Sequence, residues 1–103
     1  MASRMSKYHA VRTNGYASKK ESRVAEELKL LERAGKIRDL REQVPFVLVP
    51  GRNKVRPITY IADFTYIDNE IPVVADAKGM KTPVYNLKKK LMYLLCGIEI
   101  TEL

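Results

Sequence analysis

The chain has 103 residues, 46% of them hydrophobic, which is typical of one small domain with a core rather than of a disordered chain. Its 19 lysines and arginines against 12 aspartates and glutamates give a net charge of +7, which favours a polyanionic partner such as nucleic acid. The single cysteine and the single histidine exclude an intrachain disulfide and a structural zinc site. The sequence has no hydrophobic signal core and no apolar run of membrane-spanning length, so we expect a cytoplasmic protein that is neither secreted nor membrane-bound.

Residues 1–16 form the first segment, which carries Arg4, Lys7 and Arg12 and no acidic residue. The segment has no sustained apolar period, so we expect a basic arm ahead of a single domain over residues 17–103. Two interpretations of the arm stay open, a frayed terminus or a segment that contacts DNA.

A first helix is predicted to begin at Ser18, because Ser18 and Glu21 have the spacing of a capping box. Three apolar residues at helical spacing follow: Val24, Leu28 and Leu31. Gly35 is a typical helix terminator, and the polar stretch 36–42 after it is predicted to be a connection.

Three strands are predicted next, over residues 44–49, 57–67 and 71–77, which are rich in β-branched and aromatic side chains. A basic turn containing Arg52 and Lys54 separates the first two. The short polar stretch between the second and third predicts a tight hairpin.

A second helix is predicted from Thr82 as N-cap and Pro83 at the first position to Gly97 as terminator. Its apolar face, expected to cover the sheet, consists of Val84, Leu87, Leu91, Leu94 and Leu95. Cys96 beside it is expected in the core. A short strand from Ile98 onwards completes an α/β fold of order αβββαβ, a central mixed sheet flanked by two helices.

Two aspartates are brought together by the central hairpin. If Asn69 and Glu70 form its turn, Asp63 faces Asp76, with Cβ atoms ~4.5–5.5 Å apart and their charges in repulsion. Lys78 lies on the same face as Asp76, because side chains alternate along a strand. A solvated sheet face is the alternative, but both acids interrupt apolar strands, where unpaired charge is costly. Oxygen ligands of this kind favour Mg²⁺ or Mn²⁺.

Glu21 is the third acid of interest. The capping box already explains it, yet it shares a helix face with Ala25 and Leu28 and can therefore face the sheet. Both interpretations, a cap alone and a cap that also binds metal, stay open.

At these residues the chain resembles the PD-(D/E)xK nucleases, the restriction-endonuclease-like superfamily. That superfamily has an acid on the first helix, an aspartate on the second strand and an acid-x-lysine triplet on the third, which Glu21, Asp63 and Asp76-Ala77-Lys78 match in order and spacing. Its core also has the element order αβββαβ. The chain departs from the pattern in having Ala62 where the superfamily name has proline.

Over residues 7–103 the chain is also similar to a small phage-encoded family of suspected recombination endonucleases or Holliday junction resolvases. Three stretches carry this likeness: Ser18-Lys19-Lys20-Glu21, Tyr60-Ile61-Ala62-Asp63-Phe64 and Asp76-Ala77-Lys78-Gly79-Met80-Lys81-Thr82. Ala75 stands where relatives tend to carry another acid. Gln43 resembles a glutamine of related nucleases, or is simply a polar residue ending a loop.

The resemblance implies a Mg²⁺-dependent DNA endonuclease of phage recombination or replication, with Mn²⁺ able to substitute. Asp63 and Asp76 would bind the metal, Glu21 would complete or bridge a second position, and Lys78 would orient water or stabilise the phosphate charge. No element for reading bases is evident, so branched DNA such as a Holliday junction is the expected substrate. Cutting both strands needs two sites, which predicts a symmetric homodimer.

DNA affinity is expected from basic side chains that contact phosphates. The residues predicted for this role are Lys19, Lys20, Arg52, Lys54, Lys81, Lys88 and Lys89. His9 is expected to be a surface or phosphate contact. Two other functions stay open: a catalytically inactive nucleic-acid-binding protein on the same fold, and a basic RNA-binding protein whose acids are structural.

Overall fold

The computed structural model describes residues 18–78 and 80–103, so the predicted basic arm lies outside it. The described residues form helices α1 (Lys19–Arg33) and α2 (Pro83–Cys96). They also form strands β1 (Ile37–Val49), β2 (Ile58–Asp68), β3 (Ile71–Asp76) and β4 (Thr101–Glu102). No helix in this part of the chain is long and apolar enough to cross a bilayer.

The four strands make one sheet in the order β1-β2-β3-β4. The first three are antiparallel neighbours, whereas β4 runs parallel to β3 after the crossover through α2. The predicted α/β fold of order αβββαβ around a mixed sheet is therefore confirmed.

Strand β1 starts earlier than predicted. Residues 36–42 were expected to be a connection, but Ile37 already pairs with Asp68 of β2. The register shifts between Arg38 and Arg41, where Asp39 has a φ of 56°. Because β1 is an edge strand with an irregular register, it tolerates charged residues that hide the usual strand alternation.

Helix α1 has the predicted start. The Ser18 hydroxyl accepts a hydrogen bond from the backbone N–H of Glu21 at 3.0 Å. Val24 and Leu28 are buried against the sheet, but Leu31 is exposed, so the predicted face is wrong at its last position. All residues from 30 to 36 are exposed, since the helix no longer packs on the sheet after Leu28.

Helix α2 has the predicted caps and the wrong predicted face. Thr82 caps its start, and Gly97 ends it in the left-handed conformation with a φ of 67°. Its buried residues are Tyr85 and Met92. Most of the predicted covering face is exposed: Val84, Leu87, Leu94 and Leu95. Cys96, predicted in the core, is exposed as well.

Polar contacts to β4 explain this rotation of α2. The Tyr85 hydroxyl donates to Glu102 Oε2 at 2.9 Å, and Lys89 Nζ lies 3.1 Å from the same oxygen. Met92, two turns after Tyr85, is fully buried beside Ile100 in the same cluster. The helix is thus fixed by one tyrosine, one methionine and an ion pair rather than by its leucine row.

The β2–β3 hairpin has the predicted register. Asp68 pairs with Ile71 and Phe64 pairs with Ala75. Both turn residues, Asn69 and Glu70, have positive φ, which is the backbone of the type I′ turns that favour tight hairpins. Continued by one residue, this register brings Asp63 opposite Asp76.

Candidate functional site

Three buried carboxylates come from three elements: Glu21 from the first turn of α1, Asp63 from β2 and Asp76 from the end of β3. Their side chains are 7%, 7% and 0% exposed, respectively. Buried acids are costly unless they are paired, hydrogen-bonded or bound to a cation. Their neighbours therefore decide what this site can do.

Asp63 is held by backbone and side-chain donors. Its Oδ2 accepts from the backbone N–H of Ala77 at 3.0 Å, and its Oδ1 lies 3.4 Å from Gln43 Nε2. The contact to Ala77 ties β2 to the residue between Asp76 and Lys78, so the segment that carries the lysine is fixed relative to Asp63.

Asp76 has one satisfied oxygen and one unsatisfied oxygen. The Tyr60 hydroxyl donates to Oδ2 at 2.6 Å. Oδ1 is fully buried and has no hydrogen-bond partner among the described residues, with Lys78 Nζ at 3.8 Å. Because nearly all buried polar atoms in native proteins have a partner, an unpartnered carboxylate oxygen fits a place for a cation.

The ionisation of Asp76 depends on its burial and on its neighbours. Burial, and then a hydrogen bond and the charge of Asp63, raise the pKa of Asp76 to about 7, while Tyr60 and Lys78 oppose the shift. Burial and the hydrogen bond to Asp76 also raise the pKa of Tyr60, so its hydroxyl stays protonated and donates. In the absence of a cation, Asp76 therefore retains its proton at pH values well above the ordinary range of an aspartate.

Gln43 connects the acid of the helix with the acids of the sheet. Its Nε2 donates to Glu21 Oε2 at 3.0 Å and lies 3.4 Å from Asp63 Oδ1. Gln43 has a φ of 54°, a conformation that costs a non-glycine residue on the order of 1–3 kcal/mol. Gln43 lies inside β1, so the interpretation as a loop end is wrong, and its role in a site stays a prediction.

The two aspartates, rather than a cluster of three acids, are the residues that could hold a magnesium ion. Within residues 18–78 and 80–103, no three histidine, cysteine or acidic side chains are grouped to hold one metal ion. Mg²⁺ often binds through only one or two carboxylates and fills its other positions with water and substrate phosphate oxygens. Direct ligation by Glu21 stays a prediction, since its described link to Asp63 runs through Gln43.

A family model described as "Protein of unknown function (DUF1064)" matches residues 5–96. The chain belongs to this family. The match includes every acid of the site, as well as Gln43, Tyr60 and Lys78. Comparisons with the curated proteins and with the solved structures gave no match.

Tyr60 is the residue of this DUF1064 chain that sequence reasoning missed. Strict alternation along β2 would place Tyr60 and Asp63 on opposite faces. The phenol nevertheless reaches Asp76, because alternation breaks between Ala62 and Phe64, which are two residues apart and yet belong to different core clusters. The one sequence signal that could have identified Tyr60 is its position three residues before the buried Asp63.

A cleft of about 370 Å³ opens beside Lys78, between β2 and the start of α2. Its lining combines aromatic, aliphatic and basic side chains: Thr59, Tyr60, Ile61, Lys78, Met80, Thr82, Val84, Tyr85 and Lys88. Lys78 Nζ lies 5.7 Å from the centre of the Tyr85 ring, a cation–π distance that holds the lysine at the cleft.

The predicted phosphate contacts of the DUF1064 chain fall into three groups. Lys20 donates to the Lys78 carbonyl at 3.3 Å, and Lys88 lines the cleft, so both lie near the site. Lys81 and Lys89 pair with Glu102 at 3.2 and 3.1 Å, which partly neutralises their charge. The remaining three are exposed away from these contacts: Lys19, Arg52 and Lys54.

Proposed function

We propose that the chain is a metal-dependent DNA endonuclease. The observation that carries this proposal is the buried pair of facing aspartates, in which one oxygen of Asp76 lacks a hydrogen-bond partner among the described residues and Lys78 lies 3.8 Å away. With both carboxyls ionised, no described residue donates a hydrogen bond to this oxygen, and a divalent cation beside a phosphodiester would satisfy it.

Asp63 and Asp76 would hold Mg²⁺ or Mn²⁺. When bound, such an ion polarises a phosphate oxygen and lowers the pKa of water. The backbone N–H of Ala77 and the Tyr60 hydroxyl each occupy Oδ2 of one aspartate, so the Oδ1 atoms of Asp63 and Asp76 are the ones that would bind the ion. Gln43 would hold Glu21 beside Asp63.

Lys78 would stabilise the negative charge that develops on the phosphate during hydrolysis. Its ammonium lies between the Asp76 carboxylate and the Tyr85 ring, so it is positioned before substrate binds. Electrostatic stabilisation by a preorganised cation is usually among the largest contributions to such catalysis.

We infer branched DNA, such as a Holliday junction, as the substrate. The cleft beside Lys78 and the basic side chains of Lys20 and Lys88 bring cations to the site. Contacts to phosphates position a nucleic acid without reading its bases, which suits recognition of a DNA structure. The proposal places the protein in the cytoplasm, in phage recombination or replication, as a homodimer with one site per chain.

The second candidate function is a nucleic-acid-binding protein that has lost catalysis on the same fold. The lack of a three-acid group within the described part of the chain favours it. The two candidates differ in what they require of Asp76, since a binding protein does not need a carboxylate there.

Incubation with labelled four-way junction, flap, linear duplex and single-stranded DNA tests the proposal. We expect cleavage of branched DNA with Mg²⁺ or Mn²⁺ but not with EDTA, lost in Asp76→Asn while DNA binding is retained. Asp68→Asn is the matched control, since Asp68 is an exposed aspartate at the far end of the same hairpin. Metal-independent DNA binding without cleavage would favour the second candidate, and preference for RNA would contradict both.

A further inference from the structure

Helix α2 carries a row of large apolar side chains that the fold leaves exposed. Those more than half exposed are Val84, Leu87, Tyr93, Leu94 and Leu95. A neighbouring side of the helix packs on the sheet, where Tyr85 and Met92 are buried. The row therefore requires an explanation other than the core of its own chain.

The spacing of the row is that of a helix-to-helix seam. Val84, Leu87, Leu91 and Leu94 follow one another at intervals of three, four and three residues, which are the a and d positions of a heptad repeat. Leu91 is half-buried against the core of its own chain, and the other three are exposed. Side chains in this pattern pack into the spaces between the same positions of a second helix. The partner that best fits this row is therefore another helix with a similar row.

The exposed apolar area of α2 can be compared with the areas of known protein interfaces. The exposed apolar side chains of α2 alone offer on the order of 500 Å², within the ~300–600 Å² of the largest patch on a typical monomer. Each partner in a stable complex buries ~800 Å², so polar side chains around the row would supply the remainder.

We propose that α2 is the self-association surface of this protein, where the row packs against the same row of a second copy across a two-fold axis. A two-fold contact uses one patch on both chains, so a single self-complementary row is sufficient. No acidic residue occurs in α2, and Lys88, Lys89 and Lys90 flank the row. An apolar seam with like charges beside it is expected to strengthen as salt screens the lysines, unlike a contact made of ion pairs. The inference does not depend on nuclease activity.

Sedimentation equilibrium of the full chain, without DNA and in EDTA, tests the surface directly. We expect wild type to have twice the chain mass of 11.8 kDa, with a dissociation constant that falls as salt rises. Leu87→Glu and Leu94→Glu should each raise the dissociation constant at least about 100-fold. In a two-fold dimer, each substitution would place two glutamates, one from each chain, inside the apolar contact. Far-UV circular dichroism should show unchanged helix content, because these side chains are exposed in the single chain.

Leu30→Glu is the matched control. Leu30 lies on α1 and is 57% exposed, against 56% for Leu87. The Leu30→Glu variant should therefore dimerise like wild type. A monomeric wild type at concentrations of hundreds of micromolar would overturn the proposal. So would equal effects of Leu30→Glu and Leu87→Glu, or a Leu87→Glu variant as dimeric as wild type. Because DNA and metal are absent, failure here is distinct from failure of the proposed cleavage.

Discussion

The aspartate pair makes the stability of the metal-free protein depend on pH. Burial and the neighbouring Asp63 raise the pKa of Asp76 from 3.8 to about 7 in the folded chain. A raised folded-state pKa gives a stabilisation that is complete below the unfolded-state value and is lost as the pH rises through the folded-state value. The folded protein is therefore expected to be more stable at pH 5 than at pH 8.

Between these two pH values, a shift from 3.8 to about 7 corresponds to about 2.5 kcal/mol of unfolding free energy. In a domain of this size, that change moves the melting temperature by on the order of 10–20 °C. Glu102 and Tyr60 titrate outside the range between pH 5 and pH 8. Hydrogen bonds from Tyr85 and Lys89 lower the pKa of Glu102 to about 2, and burial raises the pKa of Tyr60 further above its ordinary 10.

Thermal unfolding in EDTA at pH 5 and pH 8 measures the effect. Asp76→Asn is the comparison, because an uncharged amide should remove most of the pH dependence. At pH 8, Mg²⁺ or the Asp63→Asn substitution should each raise the melting temperature of the protein, since each relieves the repulsion between the two acids. A wild-type melting temperature that is flat or rises from pH 5 to pH 8 would refute the reasoning, as would an equal pH dependence in Asp76→Asn.

Three further substitutions test single contacts. Tyr60→Phe removes the 2.6 Å hydrogen bond to Asp76 and should weaken Mn²⁺ binding about 10–100-fold, whereas Tyr85→Phe should leave Mn²⁺ binding unchanged. Equal effects of the two substitutions would contradict a role for Tyr60 at the metal site. Gln43→Asn tolerates the positive φ but is too short to bridge the acids, so DNA cleavage should fall about tenfold with little change in urea stability. Gly51→Ala would place a Cβ atom 2.8 Å from Pro57 Cδ and 2.8 Å from the Val55 carbonyl oxygen. The free energy of unfolding measured in urea should therefore fall by about 1–3 kcal/mol. An unchanged unfolding midpoint would contradict this crowding.

The parts of the fold that depend on local chemistry could be predicted from the sequence. The hydroxyls of Ser18 and Thr82 and the flexibility of Gly97 define helix ends through contacts within a few residues. The two-residue turn at Asn69 and Glu70 sets the hairpin register, and with it the facing aspartates.

The parts that depend on distant contacts could not be predicted. An amphipathic period shows that α2 has an apolar face, but the contacts of Tyr85 and Lys89 with Glu102 decide which face meets the sheet. The start of β1 was missed because an irregular edge strand does not alternate. Tyr60 reaches Asp76 because alternation along β2 breaks between Ala62 and Phe64, and no spacing rule within one strand gives that contact.

Binding of Mn²⁺, counted by electron paramagnetic resonance in the absence of DNA, tests the central claim most directly. The facing aspartates with an unsatisfied oxygen predict saturable binding of Mn²⁺ to wild type and to Asp68→Asn, competed by Mg²⁺ and lost in both Asp63→Asn and Asp76→Asn. Equal Mn²⁺ binding by all four proteins, or no saturable binding by wild type, would contradict a cation site between β2 and β3.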